Sequence, residues 1–341
     1  MPPPRGNART RGNNVRGPRG TGSNTGRRNL ELIASVSRSS GLEKDGDALK
    51  DFRTQEEYRE FIQEKLDHFW MQYPYGQYLS ASASQRRTEL QENTLILFRK
   101  LREGVVSSKR HDEFALEVYE TSLYLSVMYQ NFKQSSSIIP YLLPDIYDQS
   151  PQPHPNLIPT ILVCLMHELV VAYPSQNTHH HLLRIVSRNR SYLDRSSEAY
   201  RWVSSVSSSL RSRNYTRFEI LTRIEAYSSF FKEEHDISRL SIQPQAARDL
   251  SRKAIISLIH QIRSKFRDTI WTVLRSAYRE LACHEGSVTR EWLIRSLVLE
   301  SPTSESDDGV LVDRWLEEKD ASGHVRKKEG IADRWIVTKV R

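Results

Sequence analysis

Cysteine and long apolar runs are both scarce in this chain of 341 residues. Its two cysteines, Cys164 and Cys283, fall within helical patterns, which predicts reduced core thiols rather than a disulfide. No apolar run approaches membrane-spanning length, and the first residues are Pro, Arg and Gly rather than a signal sequence. We therefore expect an intracellular protein with no membrane partner.

The sequence also lacks the common motifs of catalysis and cofactor binding. It contains no glycine-rich phosphate loop, no nucleophile elbow, no dinucleotide fingerprint and no metal-ligand spacing. The consecutive histidines 179–181 would point in different directions on a helix, and His167 lacks the second histidine of a zinc-protease helix. These absences predict a protein that is not an enzyme and has no cofactor and no metal. Without other ligands at metal-binding spacing, the histidines 179–181 are better interpreted as the solvated start of a helix.

The net charge of +8 is unevenly distributed. Residues 1–29 contain seven arginines and no acidic residue, whereas 30–183 contain 14 basic and 20 acidic residues. Residues 184–223 contain nine arginines against three acidic residues, and 248–279 contain eight basic residues against two acidic ones. Each of these two stretches carries +6, and clustered charge of one sign favours a polyanion or an acidic partner.

The first 29 residues have almost no apolar side chains, which predicts a disordered arm. The arm contains four Arg-Gly pairs, and arginines in a flexible chain can reach phosphates and stack on unpaired bases. One interpretation is RNA binding, and the other is an arm that keeps the protein soluble. The candidate RNA-binding residues are Arg5, Arg9, Arg11, Arg16, Arg19, Arg27 and Arg28.

Helical periodicity extends from Thr54 to Leu281 and predicts an almost wholly helical body. We expect a capping box at Thr54, a loop over 73–87 and an N-cap at Asp112. The nearly all-apolar stretch 161–171 predicts a helix buried on several sides. Helix pairs joined by short loops are typical of a helical-repeat array.

Two helical patterns, 199–210 and 218–231, meet at Arg213-Asn214-Tyr215. We expect the helices to fold back on each other across this corner. Asn214 tolerates the left-handed conformation that ends a helix, and Tyr215 can fill the corner. Such a corner is by itself compatible with a purely structural role in any helical hairpin.

The residues at this corner resemble a signature of the GANP and Sac-three family, a branch of the PCI superfamily. Asn214, Tyr215 and Phe218 match its Asn-Tyr-x-x-Phe motif, and Val118-Tyr119-Glu120 matches its Val-Tyr-Glu-Thr helix. The resemblance covers roughly residues 51–340. The chain departs from the family pattern at Tyr124, at Gln130-Asn131 and at its two helix prolines, Pro140 and Pro144.

Beyond Gly286 the pattern changes to short helices over 293–298 and 309–316, then strands over 324–326 and 335–340. This order predicts a winged helix, where a PCI protein would also place one. The expected fold class is all-α, a helical-repeat array of PCI type that ends in a small winged-helix domain with a short β-hairpin. The expected domains are a disordered basic arm and linker (1–50), the helical-repeat domain (51–285) and the winged helix (286–341).

The resemblance implies a non-enzymatic scaffold subunit in nuclear mRNA export or transcription-coupled mRNA processing, located in the nucleus and also in the cytoplasm. It implies another PCI-type subunit and a small acidic protein of the proteasome-lid type as partners. The basic helices between Arg184 and Arg223 would attract the acidic protein. The alternative is a PCI subunit of a proteasome-lid, signalosome or translation-initiation-factor complex.

We expect RNA binding without strong sequence preference at two separable surfaces. One is the arm, and the other combines the corner with the basic wing of the C-terminal hairpin. A competing view pairs the corner arginines with the acidic N-terminal half, and the winged helix could contact a sister subunit instead of nucleic acid. The residues of the second surface are Arg211, Arg213, Arg217, Arg326, Lys327 and Lys328.

Overall fold

The computed structural model describes residues 30–36, 48–74, 80–146, 154–188, 192–231, 243–301 and 312–339. This part of the chain is predominantly helical, as the periodicity predicts. The expected arm lies outside the described residues. The helices are α1 (Phe52–Gln72), α2 (Ala81–Ser107), α3 (Glu113–Met128), α4 (Phe132–Pro140), α5 (Leu157–Ala172), α6 (Asn177–Val186), α7 (Glu198–Ser212), α8 (Tyr215–Leu221), α9 (Gln243–Ala277), α10 (Val288–Ser296) and α11 (Val312–Ala321).

Short polar side chains begin the first three helices. Asp112 caps α3 as predicted, with its carboxylate accepting the Ala115 N–H at 3.1 Å. The predicted cap at Thr54 is wrong, because Asp51 lies one turn earlier and accepts the Thr54 N–H at 2.9 Å. The loop predicted over 73–87 is also too long. Ser80 caps α2, and the Ala and Ser residues that follow are compatible with a helix.

The core is organised around α9, which packs against α3 and α5. Helix α5 is buried on several sides, as its apolar composition predicts. A second, smaller core joins α1, α2 and α3 and includes Leu49 from the 3₁₀ turn Ala48–Lys50. That turn approaches α2 so closely that a Cβ at Gly104 would lie 2.5 Å from the Leu49 carbonyl oxygen. Glycine at position 104 is therefore required for this contact.

The chain ends in a small unit of helices and strands. Strands β1 (Glu280–Ala282), β2 (Val325–Lys327) and β3 (Arg334–Val337) form an antiparallel sheet in the order β1-β3-β2. The prediction that helix extends to Leu281 is wrong, because α9 ends at Ala277 and Leu281 pairs with Trp335. A three-residue strand directly after a long helix has too little alternation to be recognised. The sheet therefore includes residues that precede position 286.

Both cysteines are buried free thiols, as their positions predict. Burial raises the pKa of Cys283 to about 11, so this thiol stays protonated at neutral pH. No helix in the described part of the chain is both long enough and apolar enough to cross a bilayer.

Candidate nucleic-acid interface

The corner between α7 and α8 differs from the prediction in one backbone detail. Arg213, not Asn214, adopts the left-handed conformation, with φ of 54°. Asn214 instead caps α8 and accepts the Arg217 N–H at 3.0 Å. A residue that caps the start of a helix has a negative φ combined with a non-helical ψ, as Asn214 does here. The left-handed conformation therefore falls on the residue before it, Arg213. The continuous helix expected to Phe231 is also wrong, since α8 ends at Leu221 and two 3₁₀ turns, Ile224–Ala226 and Ser228–Phe231, follow.

Aromatic packing fixes this corner on α9. Phe218 is fully buried, and its ring lies edge-on to Phe266 with a centroid distance of 4.6 Å. Tyr215 contacts the same phenylalanine ring at 6.5 Å. Trp202 of α7 donates its indole N–H to the Leu221 carbonyl at 2.9 Å, which holds the two helices together. The family-motif residues at the corner therefore position its backbone.

Three arginines project from this rigid corner into solvent. Arg211, Arg213 and Arg217 are all exposed, and none forms an ion pair within the described residues. Arg217 donates to the Ser205 hydroxyl at 3.1 Å, and Arg211 lies 3.4 Å from His180 Nε2. The view that these arginines pair with the acidic N-terminal half finds no such contact in the described part. Their charges remain available to a ligand.

Two of these arginines border a shallow groove, which we call the corner groove. Its volume is about 380 Å³, and its lining includes His180, Tyr173 and Thr269. The Tyr173 hydroxyl lies 2.7 Å from the Thr269 hydroxyl, and burial raises the pKa of Tyr173. The groove thus places an aromatic side chain that remains protonated beside Arg211 and Arg213, a combination suited to a phosphate with an attached base.

The C-terminal hairpin contributes less free charge than its sequence indicates. Arg326 and Lys327 are exposed, but Lys328 forms an ion pair with Glu280 at 3.0 Å. This contact lowers the pKa of Glu280.

The hairpin contacts α9 at two places, because Trp271 donates its indole N–H to His324 Nδ1 at 3.3 Å and Arg275 donates to the Thr338 carbonyl at 3.0 Å. The corner groove borders the same helix at Thr269. Among the described residues, no hydrogen bond or ion pair joins the wing to the corner arginines.

The basic residues of α9 have a different role from those of the corner. Arg263 is 2% exposed and donates to the Thr222 hydroxyl at 2.7 Å and the Glu300 carbonyl at 2.6 Å. Arg267 donates to the carbonyls of Leu297 and Val298 at 2.9 and 2.7 Å. Burial lowers the pKa of Arg263 to about 10. These arginines fasten the C-terminal unit to the helical body and do not form a ligand surface.

The second stretch that resembles the family signature lies in the core. Val118, Tyr119 and Glu120 of α3 are all buried. The Glu120 carboxylate accepts hydrogen bonds from Thr160 at 2.9 Å and from Asn156 at 3.2 Å. Because both donors belong to the start of α5, this motif joins α3 to α5.

A hydrogen-bonded line of Ser135, His167 and Glu168 was not found from the sequence. The Ser135 hydroxyl lies 2.7 Å from His167 Nε2, and His167 Nδ1 lies 3.3 Å from the Glu168 carboxylate. This geometry resembles a nucleophile, a base and its orienting acid. Both Ser135 and His167 have an exposed fraction of 0%, so a substrate has no access to the hydroxyl in this structure. No local spacing indicates this contact, because Ser135 and His167 are 32 residues apart.

The expected solvated start at histidines 179–181 is wrong for one of the three. His179 is fully buried, and its Nδ1 lies 3.0 Å from the Leu165 carbonyl, whereas His180 and His181 are exposed. Burial lowers the pKa of His179 to about 4. The apolar face of α6 packs against α5, and His179 is buried because it lies on this face. Among the described residues, no three His, Cys, Asp or Glu side chains form a group that could hold a metal.

No protein-family model, curated protein or solved structure matches this chain. The candidate interface therefore stands on its own geometry. It consists of a packed helical corner that presents three exposed arginines without an ion pair in the described residues. The seven arginines predicted in the arm, from Arg5 to Arg28, lie outside the described residues.

Proposed function

We propose that the protein is a non-enzymatic, RNA-binding scaffold subunit of the GANP-type PCI class, acting in nuclear mRNA export or transcription-coupled mRNA processing. One observation carries the RNA-binding part of this proposal. Arg211, Arg213 and Arg217 are exposed on a rigid corner and have no carboxylate partner in the described residues. Phosphates require positive charge within reach, and arginine binds them through two parallel N–H donors.

The fold supports the proposed class in two respects. Paired helices packed around a long central helix agree with a PCI-type array. The C-terminal unit follows the order helix, β1, α10, α11, β2, β3, with the sheet order β1-β3-β2, which agrees with a winged helix. Fold alone does not define a function, so the assignment depends on the surfaces.

The C-terminal unit also supports the alternative, a PCI subunit that contacts sister subunits in a larger complex of the proteasome-lid, signalosome or initiation-factor type. Three of its apolar side chains are exposed, with Val288 at 84%, Ile331 at 42% and Ile336 at 40%. Exposed apolar side chains favour a protein partner over a polyanion. In the function that we propose, the corner and the basic hairpin bind RNA, and the exposed apolar side chains of the C-terminal unit contact another PCI-type subunit.

The proposed small acidic partner would bind the exposed arginines of 184–223. Affinity capture of the full chain distinguishes the two functions. Export or transcription-elongation factors support the proposed one, whereas a stoichiometric complex of PCI subunits without RNA supports the alternative.

The RNA-binding proposal is tested by charge reversal at the corner. We expect Arg211, Arg213 and Arg217, all changed to Glu, to weaken binding to every single-stranded RNA tested. Each lost phosphate contact should reduce the slope of log affinity against log salt by about 0.7. The matched control changes Arg86, Arg252 and Arg295 to Glu, which alters the net charge equally at exposed positions elsewhere.

Electrophoretic-shift titrations over several salt concentrations measure both quantities, and thermal unfolding of each variant checks the fold. If the control loses as much RNA affinity as the corner variant, the loss follows from net charge alone and does not identify the corner as the binding surface. Unchanged affinity together with a lowered melting temperature would assign the corner arginines to structure.

A further inference from the structure

A larger cavity lies in the other half of the molecule, between α2 and α4. Its volume is about 740 Å³, within the usual range of about 300–1,000 Å³ for small-molecule sites. We call it the α2–α4 pocket. Its basic, aromatic and amide side chains are Arg99, Arg102, Lys133, Tyr119, Tyr141, Asn131 and Gln134.

Arg102 is the unusual residue of this pocket. It is 7% exposed, and its Nε has no hydrogen-bond partner among the described residues. Its guanidinium lies 6.0 Å from the centroid of the Tyr119 ring. The adjacent Glu103 attracts this charge, but its carboxylate is shared with Arg99 at 3.7 Å and with the Ser35 hydroxyl. A buried guanidinium without an acceptor is costly, so this side chain is prepared for an anion.

A second buried polar atom in the pocket also lacks a partner. Gln134 Oε1 receives no hydrogen bond from the part of the chain that the structure describes, and a ligand N–H would satisfy it. Tyr141 is 47% exposed, and its ring centroid lies 6.0 Å from that of Tyr119. The pocket therefore offers an unpaired donor, an unpaired acceptor and an aromatic face.

We propose that the α2–α4 pocket binds a phosphomonoester carried by a planar ring, a ligand of the mononucleotide kind. A phosphomonoester has a charge of about −1.5 to −2 at neutral pH. Arg102 and the exposed Lys133, which forms no ion pair in the described part, match this charge. The ring stacks on Tyr141, and an N–H at its edge donates to Gln134.

Two sources can supply this chemistry, a free mononucleotide or the terminal phosphate of an RNA strand. The pocket and the corner arginines belong to different helices, so this inference does not depend on the corner. The surrounding residues 30–183 contain 20 acidic and 14 basic residues, which disfavours a long polyanion across this face. A terminal nucleotide or a free one avoids that repulsion.

The experiment is calorimetric titration of the full chain with AMP. We expect Arg102→Met to weaken AMP binding roughly ten- to a hundredfold, since it removes charge-assisted hydrogen bonds. Tyr141→Ala should weaken it roughly tenfold through lost stacking. The matched control is Arg86→Met, an exposed arginine on the same helix, which should leave AMP affinity unchanged.

Thermal unfolding separates a binding role from a structural one. Arg102→Met should keep or raise the melting temperature without ligand, because the unpaired buried charge is gone, and AMP should no longer raise it. Adenosine should bind more weakly than AMP. Comparison of 5′-phosphorylated and 5′-hydroxyl RNA identifies the source. Equal AMP affinity of wild type and Arg102→Met, no AMP binding at millimolar concentration, or stronger binding of an acidic peptide would overturn the proposal.

Discussion

Residues 184–223 and 248–279 carry the same net charge of +6, but the structure uses their arginines in opposite ways. At the corner, Arg211, Arg213 and Arg217 face solvent and form no ion pair in the described part. On α9, Arg263 and Arg267 point inward and donate to the Thr222 hydroxyl and to backbone carbonyls.

The difference follows from what each arginine faces. Residues 297–300, which follow α10, present carbonyl oxygens without helical partners, and the arginines of α9 satisfy them. The corner arginines follow the polar side of α7 and the exposed turn, where no such acceptors are available. The number of basic residues in a stretch of sequence is therefore an upper limit to the number that a ligand can contact. The packing of the helices determines how many of them face solvent.

The largest effect should come from a buried arginine. We expect Arg263→Ala to lower the free energy of unfolding by about 4 kcal/mol, because it leaves a cavity and two acceptors without their charged donor. Chemical denaturation measures the change. The exposed Arg252 on the same helix is the control, and Arg252→Ala should stay within about 0.5 kcal/mol. If both variants lower the free energy of unfolding by similar amounts, the distinction between buried, structural arginines and solvent-facing arginines is contradicted.

The histidines of α6 extend the comparison to pH. His179 has a pKa of about 4 in the folded state and an ordinary value of 6.5 when unfolded, so the unfolded chain binds the proton more tightly. Its contribution is fully present above pH 6.5 and is lost as pH falls to 4, about 3 kcal/mol in total. The stability difference between wild type and His179→Gln should therefore change across this window. His181→Gln, at an exposed position, should show no such change.

Replacing the left-handed residue of the corner, Arg213, should change the stability of the fold and the affinity for RNA in opposite directions. Arg213→Gly relieves the cost of φ at 54° and should raise the free energy of unfolding by about 1 kcal/mol. The same change removes a solvent-facing charge and should weaken RNA binding. Denaturation and RNA titration of this one variant measure both effects. Lower stability on replacement would show that the Arg213 side chain stabilises the corner.

The smallest effect should come from an arginine with an exposed partner. Arg290 forms two hydrogen bonds to Asp313, at 2.7 and 2.6 Å, which join α10 to α11. Because the Asp313 side chain is 61% exposed, Asp313→Asn should lower the free energy of unfolding by at most about 1 kcal/mol. The effect should shrink in high salt. A loss as large as that of Arg263→Ala would contradict the ranking by burial.

The sequence predicted those features that depend on neighbours along the chain. The cap at Asp112, the buried helix α5 and the reduced thiols follow from local pattern. The features that it missed depend on distant contacts. The inward Arg263, the buried His179 and the contact between Ser135 and His167 are set by helices that pack across the core. The strand at Leu281 exists because β3 pairs with it 54 positions later in the chain.

Of the candidate site, the sequence identified the three corner arginines but not their geometry. It assigned the left-handed turn to Asn214 because asparagine tolerates that conformation better than arginine. In the structure Asn214 caps the start of α8 instead, and this role is incompatible with the left-handed conformation. The sequence also did not indicate that Lys328 of the wing is paired with Glu280. Side-chain pairing between elements is not encoded in local spacing.

Helix α9 contains 35 residues and is therefore about 52 Å long. The corner groove and the basic hairpin adjoin the same helix, so their separation is set by a stiff spacer rather than a flexible linker. Two weak sites at a fixed separation reinforce each other only when one ligand reaches both. Oligonucleotides too short to bridge them should bind with the affinity of a single surface, and affinity should rise steeply once the strand spans the gap. The rigidity of α9, and not its full length, fixes the spacing of the two surfaces and would thus select ligands by their length.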